Sequence, residues 1–464
     1  MHLLHHHPLA TTSRPPGQAR RARRPRVVAV LLLLALVGVV PQAWAAQPPV
    51  LADDAPSQVA VVWFETLYDV VKAEATGFAV ASRIYGVSAV ALYEAMVPGT
   101  RHHRSLVGQL HRLTAVPQPE AGLPYHWPTV ANATLARTIR GLFPALQPQS
   151  MQAIDAVEQR FAALFHAEVD EQEYQRSVAH GQRVADAILA WAATDGFADV
   201  NNCPYEVDSE DPAAWQPTPP NFVLPPEQPC WGQLQPMVLA SSTECAPPGP
   251  PAFSTDPASD FYAAALEVYQ VSQTLTAEQQ TIAQYWADFP GTTATSSGHW
   301  VAIVSQIARN EGLSLAAAAE AYARLGIAVT DAFIMLFDAK YQSNLLRPVT
   351  YIQAYIDDTW LPYLVVTPPN PSYLSTHATQ SSAAATVLTD LFGAKAFIDT
   401  THLDHHLMPP QQPRVFRSFT EAAAEAAISR LYGGIHYAFD ADDGRVAGQC
   451  VGQAINDRVD FQVR

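Results

Sequence analysis

Apolar residues recur three and four positions apart from Val59 onward. Val62-Trp63-Phe64, Leu67-Tyr68 and Val70-Val71 line one helix face, and Phe78 to Met96 repeats the pattern. The same spacing predicts helices over Leu135–Leu146, Ile154–Leu164 and Glu171–Trp191, the last ending near Gly196. It resumes over Asp260–Tyr269 and over Ala277–Asp288, where Phe289-Pro290-Gly291 stops it. Gly298-His299-Trp300 precedes a further helix to Asn310, and Leu315–Asp338 reads as a long Ala-rich helix. Alternating, strand-like runs are nearly absent and no internal repeat is visible. The pattern therefore predicts an all-α fold, a large multi-helix bundle.

Residues 197–257 interrupt this periodicity. Pro217, Pro219-Pro220, Pro225-Pro226 and Pro247 to Pro251, set among Trp215 and Trp231, exclude regular helix or a central strand. The expectation is an ordered Pro/Trp-rich loop packed across the surface, stapled by disulfides. Cys203, Cys230 and Cys245 lie in it and Cys450 lies near the C-terminus. Four cysteines allow three pairings, and the sequence leaves the choice open.

Charge divides the chain unevenly. Six arginines lie before residue 27 and the first acid is Asp53; the apolar run Val27–Val40 and Ala43-Trp44-Ala45 follow the arginines. This is a basic region, a hydrophobic region and a small-x-small cleavage site, read as an export signal over residues 1–45. The run is shorter than the roughly 20 residues that span a bilayer. The expectation is export to the periplasm or the medium, with no stable membrane span after cleavage; an uncleaved anchor is the alternative. Residues 46–464 form one all-α domain in this reading. Without the six arginines, 21 basic residues face 43 acidic ones, a net charge of -22. Such a chain excludes non-specific nucleic-acid binding. Any anion it holds needs a local basic cluster, and there are only three lysines: Lys72, Lys340 and Lys395.

Three stretches within residues 257–464 supply that cluster. Lys340 and Arg347 are seven apart, two turns of a helix at ~3.6 residues per turn, although Pro348 disfavours an unbroken helix between them. Ser375 is placed to cap an Ala-rich helix running to Leu391, with Thr376 and His377 in its first turn, where free amides favour an anion. Arg430 stands at a helix end and His436 beyond the Gly433-Gly434 turn, with Asp440 four residues on to fix its tautomer. Each stretch alone fits a plain reading: surface cations, a simple cap, a satisfied core histidine. Three cations, a hydroxyl and two imidazoles in one exported helical chain fit a tetrahedral oxyanion. His299 is read as a pocket wall or a capped helix start. His402, Asp404, His405 and His406 are dense in ligand types, but their spacing fits no standard metal site.

The triplet resembles the superfamily of vanadium-dependent haloperoxidases and type 2 phosphatidic acid phosphatases, whose pattern is Lys-x6-Arg-Pro, Pro-Ser-Gly-His and Ser-Arg-x5-His. Lys340, Arg347, Pro348, Ser375, His377, Ser429, Arg430 and His436 match it. Trp215 to Pro220, Trp231-Gly232, Trp286 to Trp300, Phe337 to Tyr341 and Gly434 to Tyr437 are similar to bacterial haloperoxidase-type members. The resemblance implies a helical bundle in which His436 ligates vanadate, the metal site. It makes His377 the general acid–base group and has Lys340, Arg347 and Arg430 neutralise the oxyanion; Ser375 and the amide of Thr376 add hydrogen bonds. Vanadate so held takes up hydrogen peroxide, polarised by Lys340 and His377, and oxidises a halide that halogenates an organic acceptor. The alternative on the same site is an acid phosphatase with no cofactor and a phosphohistidine at His436; a non-catalytic anion-binding protein is the third reading. A homodimer is compatible with all of them. Thr376 replaces the pattern's Gly, Leu374 its Pro, Ser296-Ser297 a frequent Pro-Pro, and Asn370 an aromatic of some chloride-oxidising relatives. These departures bear on vanadate affinity and halide choice.

Overall fold

The apolar-periodic stretches form the helices of a computed structural model that describes residues 50–200 and 203–463; the stretch read as an export signal lies outside the described residues. In chain order the helices are α1 (Gln58–Ala73), α2 (Phe78–Met96), α3 (Trp127–Leu142), α4 (Pro148–His166) and α5 (Glu171–Ala192). They continue with α6 (Phe197–Val200), α7 (Asp260–Gln273), α8 (Ala277–Tyr285), α9 (Thr295–Glu311) and α10 (Leu315–Ser343). The last are α11 (Pro348–Tyr355), α12 (Thr376–Phe392), α13 (Thr401–Asp404), α14 (Phe419–Tyr432) and α15 (Ala438–Arg458). Two short strands, β1 (Phe397–Asp399) and β2 (Arg414–Phe416), pair antiparallel with Ile398 opposite Val415. The fold is all-α.

Several boundaries differ from the periodicity. The third helix starts at Trp127, with Pro128 in its first turn, and ends at Leu142 because Phe143 precedes Pro144. Helix α9 starts at Thr295, so His299 lies inside it rather than at its cap. Helix α8 ends at Tyr285 and leaves Asp288 in the connection. Helix α10 continues to Ser343 and stops at Asn344, which adopts the left-handed conformation. Lys340 and Arg347 therefore do not share a helix face: Lys340 ends α10 and Arg347 caps α11.

Small residues let the central helices approach closely. Helix α2 is buried on every side from Ala81 to Met96, as a helix inside a large core must be. It crosses α10 at Gly86 and Gly326, where a β-carbon on Gly326 would lie 3.0 Å from the Gly86 Cα. Helices α12 and α15 meet along Gly444, Gly448 and Gly452, four residues apart; a β-carbon on Gly452 would stand 2.5 Å from Thr386. This crossing sets the start of α12 against the start of α15, where the Ser375 amide donates to the Asp440 carbonyl at 3.0 Å.

Among its described residues, the Pro-rich segment is irregular apart from the short helix α6 at its start and one 3-10 turn, Trp231–Gln233. It buries Trp215 and Trp231 completely. Disulfides join Cys203 to Cys230 and Cys245 to Cys450, the second tying the segment to α15. Ala214 bridges Leu345, and the Glu227 amide donates to the Pro369 carbonyl at 2.7 Å. The segment thus backs both the Lys340–Arg347 connection and the strand leading to Ser375. Asp331, fully buried in α10, anchors it by accepting from the amides of Met237, Val238 and Leu239 at 2.6, 2.8 and 2.9 Å. Burial pushes the Asp331 carboxyl up to about 6, so desolvation offsets part of what the three bonds contribute. Asp331→Ala leaves three inward amides unpaired and is expected to lower stability by about 3 kcal/mol, read by urea unfolding. Asp331→Asn, which keeps one acceptor oxygen, loses less.

Candidate active site

Five helix termini converge on one buried site: the end of α10, the starts of α11, α12 and α15, and the last turn of α14. Lys340, Arg347 and Arg430 come from these elements and are at most 1% exposed. Lys340 Nζ donates to the Pro371 and Ser372 carbonyls at 2.6 and 3.1 Å. The Arg347 guanidinium donates to the Asn370 carbonyl at 2.8 Å, the Asn370 Oδ1 at 2.7 Å and the Ile435 carbonyl at 2.9 Å. Arg430 Nη1 donates to the Trp286 carbonyl at 2.6 Å, while its Nε is buried with no partner. All these acceptors are neutral, so they aim the cations without discharging them. Burial pushes Lys340 well below its ordinary value, Arg347 down to about 10 and Arg430 down to about 9. Both arginines remain charged at neutral pH. Two desolvated guanidinium groups beside the Lys340 amine are costly unless an anion joins them, and that anion favours the charged form of Lys340.

His436 follows the turn that ends α14. Gly434 has φ +75°, and a β-carbon there would lie 3.1 Å from Pro362, so glycine is required on both counts. His436 Nδ1 lies 2.8 Å from Asp440 Oδ2, and Nε2 lies 3.0 Å from Arg347 Nη1. Burial and then Arg347, Lys340 and Arg430 push its pKa well down. The ring is therefore neutral, with Nδ1–H donated to Asp440 and the Nε2 lone pair presented to the cations. Asp440 also accepts from Ser372 Oγ at 2.5 Å and from the Tyr437 amide at 3.2 Å.

Ser375 caps α12: its Oγ accepts from the Ala378 amide at 3.4 Å, which leaves its proton free to donate. Thr376 and His377 form the first turn, and both are buried. His377 Nε2 lies 3.5 Å from Asp288 Oδ2, a long contact that leaves this nitrogen without a hydrogen bond. Burial, reinforced by Arg430, pushes His377 down to about 4 against the pull of Asp288. The structure thus brings Lys340, Arg347, Ser375, Thr376, His377, Arg430, His436 and Asp440 together.

Sequence reasoning missed Asp288, Asp399, Glu227 and Ser372. Asp288 follows Trp286 within the stretch that carries the resemblance, which was the available signal; Asp399, on β1, had none. Glu227 reaches Asn370 Nδ2 at 3.3 Å and so steadies the amide that holds Arg347. Asp288 and Asp399 flank His299, which no solvent reaches. Despite burial, the two carboxylates push His299 up to about 10. Its folded pKa exceeds its unfolded one, so its contribution to stability is complete below pH 6.5 and is lost as pH rises through about 10. Thermal melts of the wild type are expected to show this alkaline loss, and His299→Gln to flatten it. His402 Nε2–H donates to the Tyr285 carbonyl at 2.9 Å and His405 stacks on Tyr68, and these histidines form no metal-binding group among the described residues.

The donor set fits a tetrahedral oxyanion of the vanadate or phosphate kind. The unpartnered Arg430 Nε and His377 Nε2, beside buried Lys340 and Arg347 and the unprotonated His436 Nε2, are what such a group requires.

Comparison with known proteins agrees. A family model described as the VCPO second helical-bundle domain matches residues 320–464. The crystal structure of the first bacterial vanadium-dependent iodoperoxidase is 32% identical, covering 88% of this chain and 98% of its own, with a TM-score of 0.82. A holo-type bacterial vanadium-dependent chloroperoxidase shares the fold at 15% identity and a TM-score of 0.63, over 89% of this chain and 94% of its own. Its apo-type counterpart gives 15% and 0.65, over 88% and 98%. No curated protein matches by sequence.

Proposed function

The chain belongs to the bacterial vanadium-dependent haloperoxidase family, and from that premise we propose that it binds vanadate in this pocket and oxidises halide with hydrogen peroxide. The observation that carries the proposal is the convergence of buried Lys340, Arg347 and Arg430 on the unprotonated His436 Nε2, which accepts from Arg347 at 3.0 Å. When bound, vanadate supplies the chemistry that activates peroxide, so the chain needs no redox-active side chain.

The chain's own residues bind, orient and move protons. His436 offers Nε2 as the ligand, and Asp440 fixes its tautomer. Lys340, Arg347 and Arg430 neutralise the oxygens of the oxyanion, and Ser375 and the Thr376 amide donate to it. Charge-assisted bonds contribute roughly 1.5–3 kcal/mol each, enough in sum to hold a multiply charged anion inside an acidic protein. His377, neutral before the anion enters, takes up a proton beside it and returns it during turnover. Two disulfides support a working place outside the reducing cytosol, in the periplasm or medium.

A second reading rests on the same neutral His436. A free Nε2 lone pair facing cations also suits attack on phosphorus, with His377 protonating the leaving oxygen. Calorimetry tests the pocket itself, with sulfate as a probe that does not titrate near neutrality. His377 is pushed down to about 4 in the empty pocket, and a neighbouring anion raises it. Binding therefore takes up a proton, and affinity is expected to rise up to ~10-fold per unit as pH falls from 7 to 5. His377→Ala flattens that profile. Sulfate and orthovanadate should compete for one site; failure of either to bind would remove the basis of both readings.

A further inference from the structure

Behind His377 runs a line of titratable groups that solvent does not reach. Both Asp288 oxygens face His299 Nδ1, at 3.1 and 3.2 Å, and Oδ2 also lies 3.5 Å from His377. His299 Nε2 meets Asp399 Oδ2 at 2.8 Å. Asp399 Oδ1 accepts from the Thr401 hydroxyl at 2.6 Å and the Thr401 amide at 2.9 Å. Asp288, His299 and Asp399 are at most 1% exposed, and Trp286 stacks on the His299 ring at 4.4 Å. A carboxylate at each ring nitrogen demands two N–H donors, because a neutral imidazole would turn a lone pair on one of them. His299 is therefore an imidazolium.

We infer that His299 is a positioning residue for His377: clamped between Asp288 and Asp399, it pins Asp288 beside His377 and cancels its charge, so that His377 gains a proton only when an anion enters the pocket. The inference rests on the reading of His377 as the proton-carrying group of the pocket. The charged and titratable groups around His377 are Asp288 from the α8–α9 connection, Arg430 from α14, His299 from α9 and, more distantly, His436 from the turn before α15. Those around His299 and Asp288 are Asp399, Tyr285, His402 and Tyr68. At His377, burial and then Arg430 disfavour the proton, Asp288 favours it, and His299 opposes Asp288. Without the imidazolium, only burial and Arg430 would stand against the Asp288 carboxylate, which would draw a proton onto His377 more strongly. Acid–base work would then no longer be gated by the anion.

The test is histidine-selective 15N NMR on the exported chain with no oxyanion added, between pH 4.5 and 9. His377 is assigned by its loss in His377→Gln. In the wild type, His299 is expected to show two protonated nitrogens up to pH 9, and His377 to remain neutral throughout. His299→Gln removes a positive charge and is expected to raise the His377 midpoint by about one unit or more, bringing it into range. Asp399→Asn removes a negative charge while leaving His299 on Asp288, and His377 stays neutral down to the acid limit. Loss of packing alone would move both variants the same way. Deprotonation of His299 near pH 6.5, a His377 midpoint unmoved in His299→Gln, or a shift of one sign in both variants would each overturn the inference. If His299→Gln does not fold, the wild-type His299 signal and Asp399→Asn decide. No vanadate or turnover enters the measurement, so its failure is distinguishable from failure of the haloperoxidase reading.

Discussion

Replacing His436 with alanine is expected to abolish peroxide-dependent halide oxidation, lowering kcat/KM by at least ~10³-fold while the fold survives. His436 presents an imidazole lone pair toward the cations, whereas Lys340, Arg347 and Arg430 can only donate. Burial and those cations hold it neutral, so at working pH the pair is free rather than protonated. The variant loses the one covalent or coordinate anchor and keeps only the electrostatic cradle. Asp440→Ala acts a step away. It frees the ring to turn and to change tautomer, and a loss of roughly 10–100-fold is expected, the usual range for the partner that orients a ligand. Steady-state kinetics on both variants, with circular dichroism melts as the folding control, check the ranking. Wild-type rates in folded His436→Ala would remove His436 from the chemistry.

Loss of the Cys245–Cys450 disulfide has the largest expected effect on stability. It closes 205 residues, and the chain-entropy model then gives about 5 kcal/mol. The Cys203–Cys230 bridge closes 27 residues, for about 3.5 kcal/mol on the same model. Residual structure in the unfolded chain lowers both values and leaves their order unchanged. Cys450 lies on α15, whose first turn carries Asp440, so the longer bridge also ties the Pro-rich segment to a helix of the pocket. Urea unfolding of Cys245→Ser/Cys450→Ser and Cys203→Ser/Cys230→Ser should show the first pair losing more. Equal losses would mean that loop closure does not govern the effect.

Much of the pocket was legible because its signals are local. Ser375 reads as a cap from the proline-rich approach and the alanines that follow, and the cap is there. Gly433-Gly434 reads as a helix end, and Gly434 takes the positive φ that such an end needs. Other features were hidden because they depend on distant packing. The spacing of Lys340 and Arg347 suggested a shared face, yet Asn344 in the left-handed conformation breaks the helix, and the two cations meet through the turn. His299 reads as a pocket wall or a capped helix start, yet α9 begins four residues earlier at Thr295 and buries Ser296, Ser297 and Gly298 in its first turn. Asp288 and Asp399 are 111 residues apart in sequence and share no motif; only the fold places them on opposite nitrogens of one ring. The helix through Leu146 failed for a local reason that was available, the proline at position 144.

The measurement that tests the account most directly is peroxide-dependent bromination of a phenolic dye by the purified protein, with and without added orthovanadate. The account predicts bromination that requires vanadate, saturates with it and vanishes in His436→Ala, with Thr376 tolerated in place of glycine. Phosphate-ester hydrolysis inhibited by vanadate, with no bromination, would contradict it and assign the pocket to phosphoryl transfer; absence of both activities with no vanadate binding would mean that Thr376 closes the site.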